Sequence, residues 1–178
     1  MRWKLFFIAF FFLPAGLVAQ KHKADSLINL LNKEKTDTGK VKLMWQLSGI
    51  INAYDPASAL IYAQNALNLS TTIKYTEGQS KSLGALANTF SKMGNYPKAL
   101  EFNLRKLKLE EKGNNPRNLA FALINIGIVY RYQEEYKEAL KYYYKSDSVI
   151  MQNNIEDAKY FIYMNLGDIY DRLDNADS

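Results

Sequence analysis

Residues 121–146 read FALINIGIVYRYQEEYKEALKYYYKS. Large side chains recur there at helical spacing around two small residues, Gly127 and Ala139. The acidic dipeptide Glu134-Glu135 separates the two apolar stripes, which is typical of a solvated turn between helices. The stretch therefore predicts two amphipathic helices that approach each other closely through their small residues.

The same pattern returns at a distance of 40 residues on both sides of this stretch. In the second helix of each pair, the small residues are Ala59, Ala99 and Ala139, each followed by leucine. In the first helix, the small residues are Ala87, Gly127 and Gly167. One helix pair cannot bury its own apolar face, whereas stacked pairs share a continuous core. The sequence therefore predicts an all-α repeat array.

The remainder of the chain fits this prediction, because no segment alternates apolar and polar residues as a strand would. Asp25 is the expected N-cap of a short first helix, and a second helix is expected over about residues 40–54. Asp55 and Pro56 are expected to cap and begin the next helix. The last helix is expected over about residues 156–173.

Residues 1–19 have the three parts of a secretory signal. Arg2 and Lys4 form a positive start, an apolar run rich in phenylalanine follows, and Ala19 is a small residue before a cleavage site. The apolar run is too short for a comfortable membrane span of about 20 residues. The sequence therefore predicts export to the periplasm or the exterior, with an uncleaved membrane anchor as the alternative.

Composition argues against several classes of function. The formal net charge of +5 falls to about +3 without Arg2 and Lys4, and the other basic residues are interleaved with acidic ones, so no basic stripe suits nucleic acid. Cysteine is absent, and the single histidine, His22, lies beside the expected cleavage site. No metal cluster, catalytic triad or glycine-rich phosphate loop can be assembled. We therefore expect no catalysis, no metal and no cofactor.

The run Tyr142-Tyr143-Tyr144 could suggest a ligand-stacking surface. Consecutive helical residues point in different directions, so only one or two of these rings can share a face. We expect Tyr143 to lie in the core, and the other two rings to lie on the amphipathic surface or in contacts between repeats.

The repeating units resemble the tetratricopeptide repeat. In the central unit, the residues that carry the resemblance are Leu123, Ile126, Gly127, Tyr130, Tyr136, Ala139, Leu140 and Tyr143. The usual repeat has about 34 residues, so the period here is longer, like that seen at the N-terminus of bacterial sensory and regulatory proteins. The resemblance implies a right-handed α-solenoid of stacked antiparallel helix pairs.

The resemblance also implies a binding surface, because the first helices of such arrays line a concave face that holds peptides. The corresponding residues here are Lys81, Asn88, Lys92, Phe121, Ile124, Ile128, Arg131, Tyr132, Phe161, Met164 and Asp168. The well-known version that clamps a terminal carboxylate uses lysines and an arginine deep in the groove. A clamp of that type is not expected here, although Asn88 and Asn125 match it, because the relevant positions hold Gly84, Phe121, Phe161 and Asn165.

The period divides the chain into an expected signal peptide (1–19), a capping helix with a linker (20–39) and a repeat array (40–178). The units of the array are expected at about 40–76, 77–115 and 116–155, with a truncated unit at 156–178. The next alanine of the period would stand just beyond Ser178, which leaves the last first helix without a partner. We therefore expect an N-terminal part of a longer protein.

Two functions remain open at this stage. The first is a non-catalytic scaffold outside the cytoplasm that binds a protein or peptide, as the sensory N-terminal part of a bacterial signalling protein. By resemblance, the longer parent could carry a histidine kinase or a transcriptional regulator, and it could be anchored to a membrane through its C-terminal part. The second is a complete secreted or periplasmic adaptor protein. Neither involves membrane contact by the repeats.

Overall fold

The computed structural model describes residues 15–176, and all of its regular structure is helical. Eight helices follow one another along this part of the chain and are joined by short loops: α1 (Ala15–Lys33), α2 (Asp37–Ile51), α3 (Pro56–Thr72), α4 (Thr76–Lys92), α5 (Tyr96–Glu110), α6 (Pro116–Tyr132), α7 (Tyr136–Gln152) and α8 (Glu156–Ala176). The prediction of an all-α solenoid is therefore confirmed.

The helices form three pairs, α2 with α3, α4 with α5 and α6 with α7, and α1 and α8 pack against the two ends of this array. The small residues of the second helices, Ala59, Ala99 and Ala139, are fully buried. Their lack of bulk lets the helices of each pair approach closely, as the 40-residue period predicts. The apolar core clusters each span three consecutive helices, so each pair shares its core with a neighbouring helix.

Two expectations for the N-terminal helices are wrong. Asp25 is not an N-cap, since it lies in the interior of α1, which extends back to Ala15. The N-cap of α2 is Thr36, whose hydroxyl accepts a hydrogen bond from the Gly39 amide at 3.2 Å. Thr36 has the side-chain oxygen that an N-cap needs, so α2 begins there and not near residue 40.

Asp55 caps α3 as expected, with its carboxylate accepting from the Ser58 amide at 3.0 Å and Pro56 at the start of the helix. Asn95 makes the equivalent bond to the Lys98 amide 40 residues later, at 3.2 Å. Glu135, the next residue in this series, makes no side-chain cap bond.

Most of the predicted signal peptide, residues 1–14, lies outside the described residues. Within the part of the chain that the structure describes, no helix is long and apolar enough to cross a membrane. In the same part, no group of three or more His, Cys, Asp or Glu residues is placed to hold a metal ion.

Candidate functional site

A groove runs across the inner helices α2, α4 and α6. It consists of two adjoining cavities of about 560 and 450 Å³, and both are lined by Asn88 of α4 and Asn125 of α6. The larger cavity also contacts α1, α2 and α5, and the smaller one extends towards Tyr96 and Tyr132. We call these two cavities together the central groove.

The groove exists because α4 and α6 are joined mainly through α5, whereas α2 packs directly against α4. The separation lets two side chains of α5 line the groove, Lys106 in the larger cavity and the buried Asn103 in the smaller one. Gly84 of α4 has no side chain to cover this region, and a Cβ built there would lie 3.4 Å from Nζ of Lys106. The floor of the groove is therefore partly made by a second helix.

The asparagines at the centre of the groove have free side-chain amides. Neither the Asn88 nor the Asn125 amide hydrogen-bonds to another residue between 17 and 174, whereas the main-chain carbonyl of Asn125 accepts from Nδ2 of Asn103 at 3.5 Å. A carboxamide offers both donors and an acceptor, which matches the alternating N–H and C=O groups of an extended peptide. The arrangement can therefore bind a polypeptide backbone.

Five of the predicted site residues line the central groove: Lys81, Asn88, Lys92, Ile128 and Tyr132. Lys92 also ties two units together, because its ammonium donates to the carbonyl of Ala53 at 2.8 Å. The ring of Tyr132 stacks on Tyr96 with 5.9 Å between the ring centroids. These contacts fix one wall of the smaller cavity.

The prediction that Ile124 belongs to the binding face is wrong. Its side chain is only 2% exposed and belongs to the core cluster that contains Tyr143 and Ile162. The helix is rotated so that this position faces the neighbouring helices, and a peptide in the groove cannot contact its side chain.

The other five predicted residues lie where α6 meets α8 and do not line the central groove. Arg131 and Asp168 form an ion pair with each other, and Oδ1 of Asp168 also accepts from Nε of Arg172 at 3.1 Å. The hydrogen bond from Arg131 is the main reason why the pKa of Asp168 lies below its ordinary value, with burial opposing it. These charges already hold α8 in place.

Phe121 of α6 and Phe161 of α8 meet edge to face, with 5.7 Å between ring centroids. Phe161 and Met164 are about half exposed, at 49% and 56%. They belong to an apolar face of α8 that no described helix covers. Gly167 is the residue of α8 that corresponds to Gly127. A Cβ built at Gly167 would have no atom within 4 Å apart from the adjoining residues and backbone of α8.

The tyrosine run is structural, as predicted. Tyr143 is fully buried and its hydroxyl donates to Oδ1 of Asn165 at 3.2 Å, and burial is the main cause that raises its pKa. Tyr142 stacks on Tyr130 at 5.6 Å, and the exposed Tyr144 contacts the hydroxyl of Tyr170.

Sequence reasoning missed several groove residues, chiefly Trp45 of α2 and Lys106 of α5. Trp45 stands 80 residues before Asn125, two periods away, so the period itself could have indicated it. Lys106 is one period from Ala66 and from Ser146, both fully buried small residues. A lysine at a position that is otherwise small and buried is the signal that could have found it.

The ammonium of Lys106 is in an unusual environment. Burial is the main cause that lowers its pKa, and the nearby charge of Lys81 lowers it further, while the carboxylate of Glu110 acts in the opposite direction. Glu110 itself accepts a hydrogen bond from the hydroxyl of Ser80. No ion pair within 4.0 Å reaches the Lys106 ammonium from residues 17–174.

Comparison with known proteins gives a consistent family signal. Two family models match the chain, both described as tetratricopeptide repeat, one over residues 82–117 and one over residues 120–146. Tetratricopeptide repeat protein 29 from Trypanosoma brucei brucei is 25% identical over 93 residues, which cover 52% of this chain and 19% of that protein.

Two solved structures illustrate the likeness of the fold. Aspartyl phosphate phosphatase F from Bacillus subtilis is similar with a TM-score of 0.77 and 18% identity, over 91% of this chain and 46% of that one. PlcR from Bacillus thuringiensis, solved in complex with the peptide PapR7 and DNA, gives a TM-score of 0.76 and 19% identity, over 89% of this chain and 59% of that one. The chain thus spans less than two thirds of the length of each of these proteins.

Proposed function

Because this chain is a tetratricopeptide repeat protein, we propose that it is a non-catalytic scaffold that binds a protein or peptide partner in the central groove. The observation that carries the proposal is the pair of free carboxamides, Asn88 and Asn125, on facing helices at the point where the two cavities adjoin. An extended peptide laid between α4 and α6 would place its main-chain N–H and C=O groups against both amides.

The stacked rings of Tyr96 and Tyr132 support the same proposal. Aromatic side chains bury a large apolar area at low cost in conformational entropy, which makes them frequent anchors in binding surfaces. Ile128 adds an apolar contact beside them. The smaller cavity would therefore take an apolar side chain of the partner, while the asparagines hold its backbone.

A direct binding experiment tests this proposal. The purified chain would be exposed to a random library of capped peptides of about eight residues, which is long enough to cross the groove when extended. The tightest peptide should lose roughly tenfold or more in affinity to a variant with Asn88→Ala and Asn125→Ala, because buried peptide groups would be left unpaired. Asn65→Ala changes an exposed asparagine of α3 outside the groove and should leave the affinity unchanged. Equal binding to all three proteins would refute the groove as the site.

The finer part of the proposal concerns location and context. We propose that the protein is exported and that the repeats form the sensory or interaction N-terminal part of a larger bacterial signalling protein. The signal-like composition of residues 1–19 supports export, and the uncovered apolar face of α8 supports a further helix packing against it. A complete secreted or periplasmic adaptor is the second candidate. Cell fractionation and the mass of the native product distinguish these: an unprocessed cytoplasmic protein would contradict export, and a mature protein that ends at Ser178 would favour the adaptor.

A further inference from the structure

In the second helix pair, α4 and α5, two positions have residue sizes opposite to those at the equivalent positions of the third pair, α6 and α7. In the third pair, the large Ile124 stands on the first helix and the small Ser146 on the second, and both are buried. One period earlier the order is reversed, with Gly84 on the first helix and Lys106 on the second. The absence of a side chain at Gly84 opens a path through which the Lys106 side chain reaches the central groove.

The exchange brings positive charge into the larger cavity. Three lysines line it, Lys106 from α5, Lys81 from α4 and Lys23 from α1, and no carboxylate is among its lining residues. The nearest acidic group of α5, Glu110, lines a different cavity, where it accepts from Ser80. We call Lys23, Lys81 and Lys106 the lysine site.

The lysine site has three ammonium groups and no carboxylate among the residues that line its cavity. Lys106 is largely removed from water, which disfavours its charged form; the carboxylate of Glu110 offsets part of this cost, and a second ammonium at Lys81 adds to it. A buried cation of this kind is stabilised by an incoming anion that can hydrogen-bond to it. The groove thus offers a cation whose counter-charge can come from a bound partner.

Apolar groups surround the lysine site on the α1 and α2 side. The indole of Trp45 lies under the ammonium of Lys81 with 5.9 Å between Nζ and the ring centroid, and Leu27 and Ile50 complete this wall. A ligand group that fits must therefore combine one negative charge with adjacent apolar surface. An acidic side chain followed by an aliphatic or aromatic one has this chemistry.

We propose that the larger cavity binds an acidic peptide, with the carboxylate of an aspartate or glutamate side chain against Lys106 over Gly84 and a neighbouring apolar side chain against Trp45. This inference rests on the proposed function and gives the partner its chemical class. Asn88 and Asn125 then hold the backbone beside the acidic residue, and the smaller cavity takes a residue farther along the same peptide.

The test uses the full chain and two libraries of peptides of about eight residues, acetylated and amidated at their ends. The libraries are identical except that one fixed position holds glutamate or glutamine, and a leucine follows it. The tightest peptide from the glutamate library would then be measured in both forms by fluorescence anisotropy. The glutamate form should bind at least about tenfold more tightly than the glutamine form, because a desolvated charge pair is lost in the latter.

Lys106→Met provides the decisive variant, since methionine keeps most of the length of lysine without its charge. Its affinities for the two forms should be nearly equal, whereas Lys108→Met, which removes an exposed lysine of the same helix, should keep the full preference for glutamate. Circular dichroism melting of both variants establishes that they are folded, and removal of a desolvated charge should not lower the stability of Lys106→Met.

Three other outcomes would contradict the inference, and they differ in whether they also contradict the proposed function. Tight binding of peptides without preference for glutamate would overturn the lysine site and leave the proposed function intact. Failure of every capped peptide to bind would overturn both. If a phosphoserine form binds more than tenfold more tightly than the glutamate form, or if only a peptide with a free C-terminus binds, the anion is not an acidic side chain and the inference is wrong.

Discussion

The aromatic ring of Tyr143 lies against the Cα of Gly127, so that any Cβ at this position would overlap the ring. The contact joins α6 to α7 in the middle of the array, and both residues are buried. Gly167 occupies the same place one period later, on α8, and no described atom apart from the adjoining residues and backbone of α8 itself lies within 4 Å of a Cβ built there. The two glycines therefore share a position in the repeat and differ in what packs against them.

Alanine substitution should separate the two glycines. Gly127→Ala should lower the free energy of unfolding by about 1–3 kcal/mol, because the rigid ring of Tyr143 has no free space to move into. Gly167→Ala should raise it by about 0.5–1 kcal/mol, since alanine is the better helix former where nothing collides. Urea denaturation followed by circular dichroism measures both. Equal effects of the same sign would show that Gly127 does not set the distance between α6 and α7.

The ion pair between Arg131 and Asp168 should stabilise the packing of α8 on α6. Asp168→Asn should cost about 0.5–1 kcal/mol near neutral pH, since Asp168 remains 35% exposed and its pairing is screened by solvent. The Asp157→Asn variant breaks a second ion pair between the same two helices, in which Arg117 and Asp157 are both more than half exposed. We expect a smaller loss there.

The effect of Asp168 should depend on pH with a definite sign. Its pKa is lower in the folded protein than in the unfolded chain, so its stabilisation is fully present above the unfolded value of about 3.9 and is lost as the pH falls through the folded value. The stability difference between the wild type and Asp168→Asn should therefore be constant from about pH 7 to pH 5 and shrink below about pH 4. A difference that grows on acidification would contradict the ion pair as its source.

The N-cap residue of α7, Glu135, differs from its counterparts in the earlier pairs, Asp55 and Asn95, because its side chain does not cap the helix. Glu135 has backbone angles of φ −84° and ψ 63°, close to the −86° and 70° of Asn95, yet only Asn95 caps its helix. Glu135→Asn should therefore raise the stability by about 0.5–1 kcal/mol, and Asn95→Glu should lower it by a similar amount. Thermal melting of the two variants is sufficient, and no change in the first would mean that the backbone of α7 is not pre-arranged for a cap.

The turn before this cap offers a related substitution. Glu134 has a φ of 62°, in the left-handed region that favours glycine, and the residue one period earlier is Gly94 with a φ of 74°. Glu134→Gly should therefore stabilise the turn by up to about 1 kcal/mol, and Gly94→Ala should destabilise its counterpart by a similar amount. The pair of melting temperatures should move in opposite directions.

The fold could be predicted largely from the sequence because a repeat array depends on local pattern and on a period. Ala59, Ala99 and Ala139 indicate the spacing, and each lies in a fully buried helix contact. Helix starts were less predictable. Asp25 has the chemistry of an N-cap but lies within α1, because residues on both sides of it are compatible with helix and nothing interrupts them.

The candidate site could be predicted only in part. The sequence rule assigns the groove to the first helix of each pair, and it does not account for the distance between these helices. The rule identifies Asn88 and Tyr132 as groove residues, but its prediction for Ile124 is wrong, because a small rotation of α6 decides between the groove and the core. Lys106 belongs to a second helix, so no rule based on first helices could include it. The lysine at a position that is otherwise small, together with Gly84 on the facing helix, indicates that α5 reaches the groove.

The exchange of sizes between Gly84 and Lys106 has a consequence for the redesign of such arrays. A glycine on an inner helix leaves room for a long side chain of the outer helix to reach the groove, as Lys106 does beside Gly84. The residues that line the groove could therefore be changed on either helix of a pair. A glycine on the inner helix would be combined with a long side chain of chosen charge on the outer helix. Repeat-protein designs that vary inner positions alone would leave these outer side chains unused.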